Sequence, residues 1–252
     1  MSILTALAAA ALAQQMRPED TEQWTPEPVV VTPGPAGKPA APPSDAIVLL
    51  GNGGLGEWTS MDGSPAKWTY RGGIVTVKKG TGNIQTRRSF GSYQLHLEWR
   101  IPRVISGEGQ GRGNSGLFLA STGGGDAGYE LQIVDSYRNK TYANGQAASV
   151  YKQFPPLVNA MRPPGEWQTY DVVWTAPTFN ADGSVKSKAR LTAFHNGVLV
   201  QDNVVLGGET VYIGPPKYKA HGRSPIKLQD HGDPSEPISF RNIWIRELPG
   251  QP

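Results

Sequence analysis

The sequence predicts an all-β protein, a sandwich or jelly roll of antiparallel strands. Short runs with strand-length alternation of apolar and polar residues recur along the chain, and turn residues separate them. No window of helical length carries an apolar stripe with a 3.6-residue period. The 252 residues include 31 glycines and 22 prolines, which is typical of a turn-rich fold. A chain of this length can bury its core in one large β domain.

Eleven runs have the length and alternation of strands, and an Asn-Gly pair at Asn196-Gly197 supplies the positive φ angles of a tight type I′ hairpin. The predicted strands are Ala46–Leu50, Lys67–Tyr70, Gly73–Val77, Ser92–Ile101, Gly116–Ala120, Tyr129–Val134, Gln168–Ala176, Ala189–His195, Val198–Asp202, Pro225–Gln229 and Ile238–Glu247.

The N-terminal part predicts export followed by a linker. Residues 1–13 are apolar and end in Ala-Leu-Ala, like a signal peptide, although they lack the usual Lys or Arg. We expect an exported protein, periplasmic or secreted; the alternative is a frayed N-terminus. Residues 14–44 are rich in Pro and Ala with few large apolar side chains, which predicts a disordered, extended tether. The β domain is predicted to span 45–250.

Charge and cysteine content exclude several classes of protein. The formal charge is +3, from 24 basic and 21 acidic residues without a basic run, so the electrostatic footprint of a nucleic-acid binder is missing. The absence of cysteine excludes disulfides, catalytic thiols and thiolate metal sites. No apolar run has the length of a transmembrane helix. The sequence contains no nucleophile elbow and no phosphate loop.

One strand carries polar side chains where a buried strand should have none. Period-two alternation puts Tyr129, Leu131 and Ile133 on one face and Glu130 and Gln132 on the other. Asp135 has the wrong parity, so a β-bulge would be needed to bring it beside Glu130. The simpler alternative is a solvated strand face.

Three other regions could contribute to a site. Glu98 lies on the polar face of a strand, beside His96, for which an ordinary surface role is the simpler interpretation. The long connection from 136 to 166 contains Tyr151 and Arg162, and aromatic and guanidinium groups suit a sugar ring. That connection could instead cap the sandwich with a small core of its own. Three polar residues end a later strand: Gln229, Asp230 and His231.

Metal ligation is weakly supported. His195, His221, Asp230 and His231 lack the spacing of a zinc site, so a catalytic zinc is not expected. A structural Ca²⁺ held by carboxylates and carbonyls remains open.

Seven segments occur together in an order specific to one family: Leu97–Arg100, Asn114–Leu119, Gly128–Ser136, Arg162–Asp171, Phe194–Asn203, Leu228–Gly232 and Phe240–Arg246. On these segments the chain resembles the 3-keto-disaccharide hydrolase domain over residues 45–248. The resemblance implies a concanavalin A-like lectin/glucanase sandwich in exported bacterial proteins that act on 3-keto-glycosides. Some members have Arg where this chain has Ala120, a difference that bears on substrate range.

The resemblance also implies a chemistry. A ketone at C3 acidifies the C2 proton, so a base can remove it, β-elimination can expel the C1 substituent, and water can add afterwards. A separate dehydrogenase would oxidise C3, so no redox cofactor is expected. On this hypothesis Glu130 and Asp135 supply base and acid, with His231 as the competing candidate. The predicted substrate-binding residues are Glu98, Asn114, Gln132, Tyr151, Arg162, Trp167, Gln229 and Asp230.

Two other functions stay open. Glycosidases of the same superfamily carry E-x-D-x-x-E on a bulged strand, where this chain reads E-x-Q-x-x-D from Glu130 to Asp135. The central Gln and the shorter final Asp weaken the hypothesis of a retaining glycosidase that acts on unoxidised glucans. A non-catalytic carbohydrate-binding module is the second alternative.

Overall fold

Two antiparallel sheets face each other and enclose the core in the computed structural model of the chain, which describes residues 16–37 and 41–248. The helical elements of these residues are short 3₁₀ turns, at Pro18–Thr21, Gly109–Gly111 and Ala143–Gly145. The strands are β1 (Val29–Val30), β2 (Ile47–Leu50), β3 (Trp58–Ser60), β4 (Thr69–Arg71), β5 (Ile74–Thr76), β6 (Ile84–Thr86), β7 (Tyr93–Arg100), β8 (Ser115–Ser121), β9 (Gly128–Ile133), β10 (Val158–Asn159), β11 (Trp167–Thr175), β12 (Thr178–Phe179), β13 (Val185–Ser187), β14 (Arg190–His195), β15 (Val198–Val205), β16 (Lys227–Leu228) and β17 (Ser239–Glu247).

The larger sheet has eight strands, in the order β15-β14-β11-β7-β17-β5-β4, with β2 also paired to β17. The smaller sheet has five, in the order β3-β6-β16-β8-β9. The chain crosses between the sheets several times, as in a jelly roll. The prediction of an all-β sandwich of the jelly-roll type is confirmed.

The core forms where the apolar faces of the two sheets meet. In β7, Tyr93, Leu95, Leu97 and Trp99 are fully buried, as the alternation predicts. The ring of Tyr129 lies 5.2 Å from that of Trp174 across the sandwich, and the Tyr170 hydroxyl donates to the Gln132 carbonyl at 2.7 Å. Alternation along β9 is therefore also confirmed, because its apolar side faces the larger sheet.

The predicted hairpin joins β14 to β15. Asn196 has φ +54° and Gly197 has φ +80°, the two positive angles that a type I′ turn requires. His195 pairs with Val198 across the turn. The strands that the patterns did not predict have two or three residues each, as in β3 and β6, which is too short for an alternation to be recognised.

The described part of the N-terminal segment, 16–37, corrects the prediction of a disordered tether. Its backbone is extended, as predicted, but it lies against the β domain. Val29 and Val30 pair in parallel with Val158 and Asn159. The prolines and alanines supply little apolar surface, and side chains of the domain instead donate hydrogen bonds to main-chain carbonyls of the segment, a type of contact that composition does not reveal.

The predicted signal peptide, 1–13, lies outside the described residues. Within 16–37 and 41–248, no helix has the length and apolar character needed to cross a membrane.

Candidate active site

A cleft opens on the outer face of the smaller sheet, where two rows of side chains cross three adjacent strands. Phe118 in β8 pairs with Glu130 in β9 on one side and with Lys227 in β16 on the other. In the next row, Gly116 pairs with Gln132, and its carbonyl accepts from the backbone N–H of Gln229 at 3.1 Å. The strand register therefore brings Glu130, Gln132 and Gln229, three predicted site residues, to one surface.

Glu130 is 5% exposed, and its carboxyl group faces the cleft. Within the described chain, no side chain or backbone N–H donates a hydrogen bond to this carboxyl. Burial raises its pKa to about 8, the nearby Asp126 charge adds to the rise, and Lys227 opposes it. Gly116 makes room for the group, since a Cβ on that residue would lie 2.6 Å from Glu130 Oε1.

Gln110 organises the polar floor of the cleft. Its Oε1 accepts from Gln132 Nε2 at 2.9 Å and from Asn114 Nδ2 at 3.3 Å. Its Nε2 donates to Thr141 Oγ1 at 2.7 Å and to the Gly145 carbonyl at 2.8 Å. The same side chain thus fixes two predicted site residues and anchors the loop that follows β9.

Two buried amide oxygens of the cleft have no donor in the described chain, Asn114 Oδ1 and Gln229 Oε1. The amide nitrogen of Gln229 donates to Asp126 Oδ1 at 2.9 Å, which leaves its oxygen available. Buried acceptors of this kind are costly unless they are hydrogen-bonded. They suit a ligand that brings several hydroxyl donors.

Lys227 lies in the same row of side chains as Glu130, on the far side of Phe118. Its side chain is fully buried, and Nζ donates to the carbonyls of Gly125 and Ala127, both at 2.8 Å. Nζ also lies 4.1 Å from the centre of the Phe118 ring. Burial lowers the pKa of this amine to about 8, although Asp126 and Glu130 oppose the shift. Its hydrogen bonds fix the glycine-rich turn that carries Asp126.

Loops supply the walls. Tyr151 comes from the long connection after β9, Thr210 and Tyr212 from the loop after β15, and His231 from the segment after β16. The enclosed volume is about 140 Å³. His231 is half-exposed at the rim, with Nδ1 3.4 Å from Asp233 Oδ2. The Tyr151 and Tyr142 hydroxyls are 2.6 Å apart, which links the cleft to a wider groove outside it.

Asp135 does not reach the cleft, so the predicted bulge does not bring it beside Glu130. Strand β9 ends at Ile133, and the backbone N–H of Asp135 donates to the carbonyls of Arg112 and Gly113. The Asp135 carboxylate is fully buried and pairs with Arg112 Nε at 2.8 Å. Its burial raises its pKa even though Arg112 lowers it. The geometry gives Asp135 a structural position.

Three other predicted binding residues lie on the outer face of the larger sheet. Glu98, Trp167 and Arg162 line a separate hollow of about 260 Å³. Glu98 accepts from Arg241 Nε at 2.6 Å and from Asn242 Nδ2 at 2.8 Å, and it lies 3.5 Å from His96 Nε2. The predicted grouping with Glu130 is corrected, because β7 and β11 belong to the opposite sheet.

Arg162 instead holds the N-terminal segment and the hairpin. Its guanidinium donates to the Gly34 carbonyl and to Asn196 Oδ1, at 3.0 and 2.6 Å. Asp230 lies next to the cleft, but its Oδ2 accepts from the backbone N–H of Gly82 at 3.0 Å. It lines a small neighbouring hollow together with Asn114 and His231.

The residues considered as metal ligands do not converge. His195 is buried in the core beside Trp99 and Tyr170, and burial lowers its pKa to about 3. His221 packs on Tyr129 instead. In the described ranges, no group of three or more His, Asp or Glu side chains could hold a metal ion.

The patterns missed Asp126, Lys227, Gln110, Thr210 and Tyr212. A signal existed for Lys227, which has the same strand parity as Gln229 and interrupts an apolar run. Gln110 and Asp126 lie in turns, and the two others lie in a long loop, where no periodicity predicts orientation.

Fold and site together define a β-sandwich with a polar ligand cleft on the outer face of its smaller sheet. A protein-family model for the 3-keto-alpha-glucoside-1,2-lyase-like domain matches residues 45–246. The chain belongs to this family, which confirms the predicted resemblance. No curated protein matches the sequence significantly.

Solved structures agree with this assignment. A candidate glycosyl hydrolase from Parabacteroides distasonis is 50% identical, with a TM-score of 0.79 over 91% of this chain and 96% of the other. A second candidate glycosyl hydrolase from that organism is 20% identical, with a TM-score of 0.59 over 83% of this chain and 99% of the other. The second similarity supports the fold alone.

Proposed function

We propose that this protein cleaves the glycosidic bond of 3-keto-glycosides by C2 deprotonation, β-elimination and hydration. The observation that carries the proposal is the environment of the Glu130 carboxyl. This group is buried at the floor of a cleft that offers free hydrogen-bond acceptors, and no group of the described chain donates a hydrogen bond to it. The family match and the glycosyl hydrolase description of the 50% identical relative support a carbohydrate substrate.

Glu130 is the proposed base. A carboxylate with a pKa raised to about 8 is a stronger base than an ordinary glutamate, and it is ionised in a usable fraction near neutral pH. It removes the C2 proton, and the electron pair becomes the enolate of the C3 ketone. The charge on O3 requires a donor, and the hydroxyls of Tyr151 and Thr210 lie in the cleft to provide one.

His231 is the proposed acid. When the C1–O bond breaks, the enolate collapses to a C1–C2 double bond, and the leaving oxygen takes a proton. His231 lies at the rim, where a leaving group would depart, and its Nδ1 lies 3.4 Å from Asp233 Oδ2. Water then adds at C1 and gives a proton to His231, Glu130 returns its proton to C2, and the 3-keto sugar is released with both side chains in their starting states.

Direct displacement by a retaining glycosidase fits the geometry less well. That mechanism needs a second carboxylate about 5 Å from the first. Asp135, the residue at the corresponding spacing, is paired with Arg112 away from the cleft. The second carboxylate of the cleft, Asp126, comes from the glycine-rich turn and accepts from Gln229 Nε2 at 2.9 Å. A substrate already oxidised at C3 needs only the base and the acid. A separate dehydrogenase would supply it, and export would place both steps outside the cytoplasm.

The test is incubation of the full chain with a panel of 3-keto-glucosides beside their parent glucosides, with and without chelator. We expect cleavage of the keto compounds alone and transient formation of the 1,2-unsaturated ketone, detected by ultraviolet absorbance. Glu130→Gln and His231→Ala should each lower kcat at least 100-fold, while Asp135→Asn should keep most of its activity if it folds. Cleavage of the parent glucosides at equal rate would contradict the proposal, and binding without turnover would favour a carbohydrate-binding module.

A further inference from the structure

A wider groove continues from the cleft toward the N-terminal segment. It has a volume of about 500 Å³ and shares Tyr151, Tyr212 and His231 with the cleft. Its outer wall includes Glu22 and Trp24, which precede the family-matched domain at 45–246. The segment outside that domain therefore forms part of the same concave surface.

Trp24 has the position of a stacking platform. Its side chain is 49% exposed, and its ring meets Tyr142 edge to face at 6.0 Å. The indole Nε1 donates to Glu22 Oε2 at 3.1 Å, which sets the orientation of the ring. An exposed indole whose own N–H is satisfied offers its face to a ligand, since the apolar C–H face of a pyranose packs on such rings.

The segment that carries Trp24 is fixed by the loop that also supplies Tyr151. Asn144 Oδ1 accepts from the backbone N–H of Gln23 at 2.9 Å, and Asn144 Nδ2 donates to the Thr21 carbonyl at 3.0 Å. Lys152 Nζ donates to the Pro18 carbonyl at 2.8 Å and to the Tyr212 carbonyl at 3.0 Å. Lys152 thus joins the segment to the loop that lines the opposite side of the groove.

We infer that Trp24, which lies outside the family-matched domain, is a specificity-determining residue that stacks on a pyranose leaving group in this groove. The inference rests on the proposed function, because it takes the cleft at Glu130 as the position of the 3-keto ring. His231 lines both spaces, so a scissile oxygen at their junction would lie within its surroundings. Lys140 and Thr141 add polar groups along the groove, so its chemistry fits a ring with one apolar face and several hydroxyls better than an aromatic aglycone.

The test compares Trp24→Ala, Trp24→Phe and wild type on three substrates of one anomeric form: a 3-keto-disaccharide, phenyl 3-keto-glucoside and methyl 3-keto-glucoside. Loss of the platform should lower kcat/KM for the disaccharide about tenfold, the upper end of an aromatic contact. The kcat/KM for the methyl 3-keto-glucoside should change less than twofold, and Trp24→Phe should recover most of the loss on the disaccharide. Phe194→Ala is the matched control, because Phe194 is a half-exposed aromatic on the larger sheet.

An equal loss on the disaccharide and the methyl glucoside would overturn the inference, because Trp24 would then act on the fold or the catalytic cleft. A greater loss on the phenyl than on the disaccharide substrate would also overturn it, in favour of an aromatic leaving group. If wild type cleaves none of the three, the proposed function fails, and calorimetry with the unoxidised disaccharide decides the subsite separately. Binding weakened by Trp24→Ala and unchanged by Phe194→Ala would support the subsite, and equal binding by all three proteins would contradict it.

Discussion

At the scale of single residues, the chemistry of the site depends on the environment of Glu130. A solvated glutamate is ionised and weakly basic near neutral pH. Burial at the floor of the cleft and the adjacent Asp126 charge raise its pKa to about 8. Burial disfavours the ionised carboxylate, and this makes Glu130 a stronger base at the position where a base is proposed to act.

The pH dependence of catalysis should report this pKa. Because the proposed base must be ionised, kcat/KM for a 3-keto-glucoside should rise with pH through about 8. Asp126→Asn removes a negative charge that raises the pKa of Glu130, so the rise of kcat/KM should move to lower pH. A rise of kcat/KM that stays at the same pH in Asp126→Asn would contradict its assignment to Glu130.

Stability should respond to Glu130 with a defined sign. A carboxyl whose pKa is raised in the folded state favours folding when protonated, so stability declines as pH rises from about 4.5 through 8. Glu130→Gln removes the titrating group. At pH 9 we expect its Tm to exceed that of wild type by roughly 5 °C, and at pH 4 the two should agree. A lower Tm for the variant at pH 9, measured by calorimetry, would contradict the assigned pKa shift.

At the scale of secondary-structure elements, β8 shapes the site by what it lacks. Gly116 lies between Gln132 and the strand that carries Gln229, and the carboxyl of Glu130 occupies the space above it. A side chain at this position would compete with the base for the same volume. The strand thus contributes a small residue where the catalytic group needs room.

Gly116→Ala should displace Glu130 without unfolding the sheet. The added Cβ would lie 2.6 Å from Glu130 Oε1 and 2.9 Å from a Phe118 ring carbon, so the carboxyl must move. We expect kcat to fall at least tenfold with a Tm within a few degrees of wild type. Gly124→Ala is the matched control, since a Cβ there meets nothing within 4 Å. Unchanged kcat in Gly116→Ala would mean that the carboxyl position is not critical.

The larger sheet contains an ionisable pair of its own. His96 in β7 contacts Asp171 of β11 at 2.7 Å through Nδ1 and is nearly fully buried. Burial alone would lower its pKa, but the bonds to Asp171 and Glu98 outweigh it and raise the pKa to about 9. Protonated His96 therefore links neighbouring strands at neutral pH.

The stability supplied by this pair should disappear at alkaline pH. A histidine with a raised pKa stabilises fully below about 6.5, and the contribution is lost as pH rises through 9. His96→Gln should flatten the decline in the free energy of unfolding over that range, measured by urea titration. Both proteins should carry Glu130→Gln, so that the other titrating carboxyl does not contribute. Parallel curves would exclude a charged His96.

At the scale of the whole molecule, the chain consists of a β-sandwich and an N-terminal segment that lies along one side of it. The segment contacts the loop between β9 and β11 through Asn144, Lys152 and Arg162. These three side chains bind main-chain carbonyls, so the segment is recognised by its extended backbone. The concave surface around the cleft is complete only with both parts in place.

Asn144→Ala should release the segment while leaving the sandwich folded. It removes the bonds to the Gln23 N–H and the Thr21 carbonyl, two of the contacts that fix the region around Trp24. Limited proteolysis should then cut within 16–37 at least tenfold faster, and the main unfolding transition should keep its Tm within a few degrees. Asn180→Ala, in an exposed turn, serves as control. Equal cleavage of both variants would indicate that other contacts hold the segment.

The fold was predictable because alternation of apolar and polar residues is a local property. In β7 and β9 the predicted apolar faces lie in the core, although the polar residues of the opposite faces are largely buried too, and the Asn196-Gly197 turn has the predicted angles. The same local reasoning placed Glu130 and Gln132 on one face. It could not place Asp135, since parity beyond the end of a strand depends on how the chain turns.

The sequence by itself determined the sandwich, the family and the central carboxyl of the site. Only the tertiary structure decided which polar residues meet it. Glu98, Trp167 and Arg162 have suitable chemistry but line a hollow on the larger sheet, whereas Lys227, Gln110 and Trp24 come from distant parts of the chain. The physical reason is that strand order and loop packing are long-range properties, set by how two sheets bury their apolar faces together.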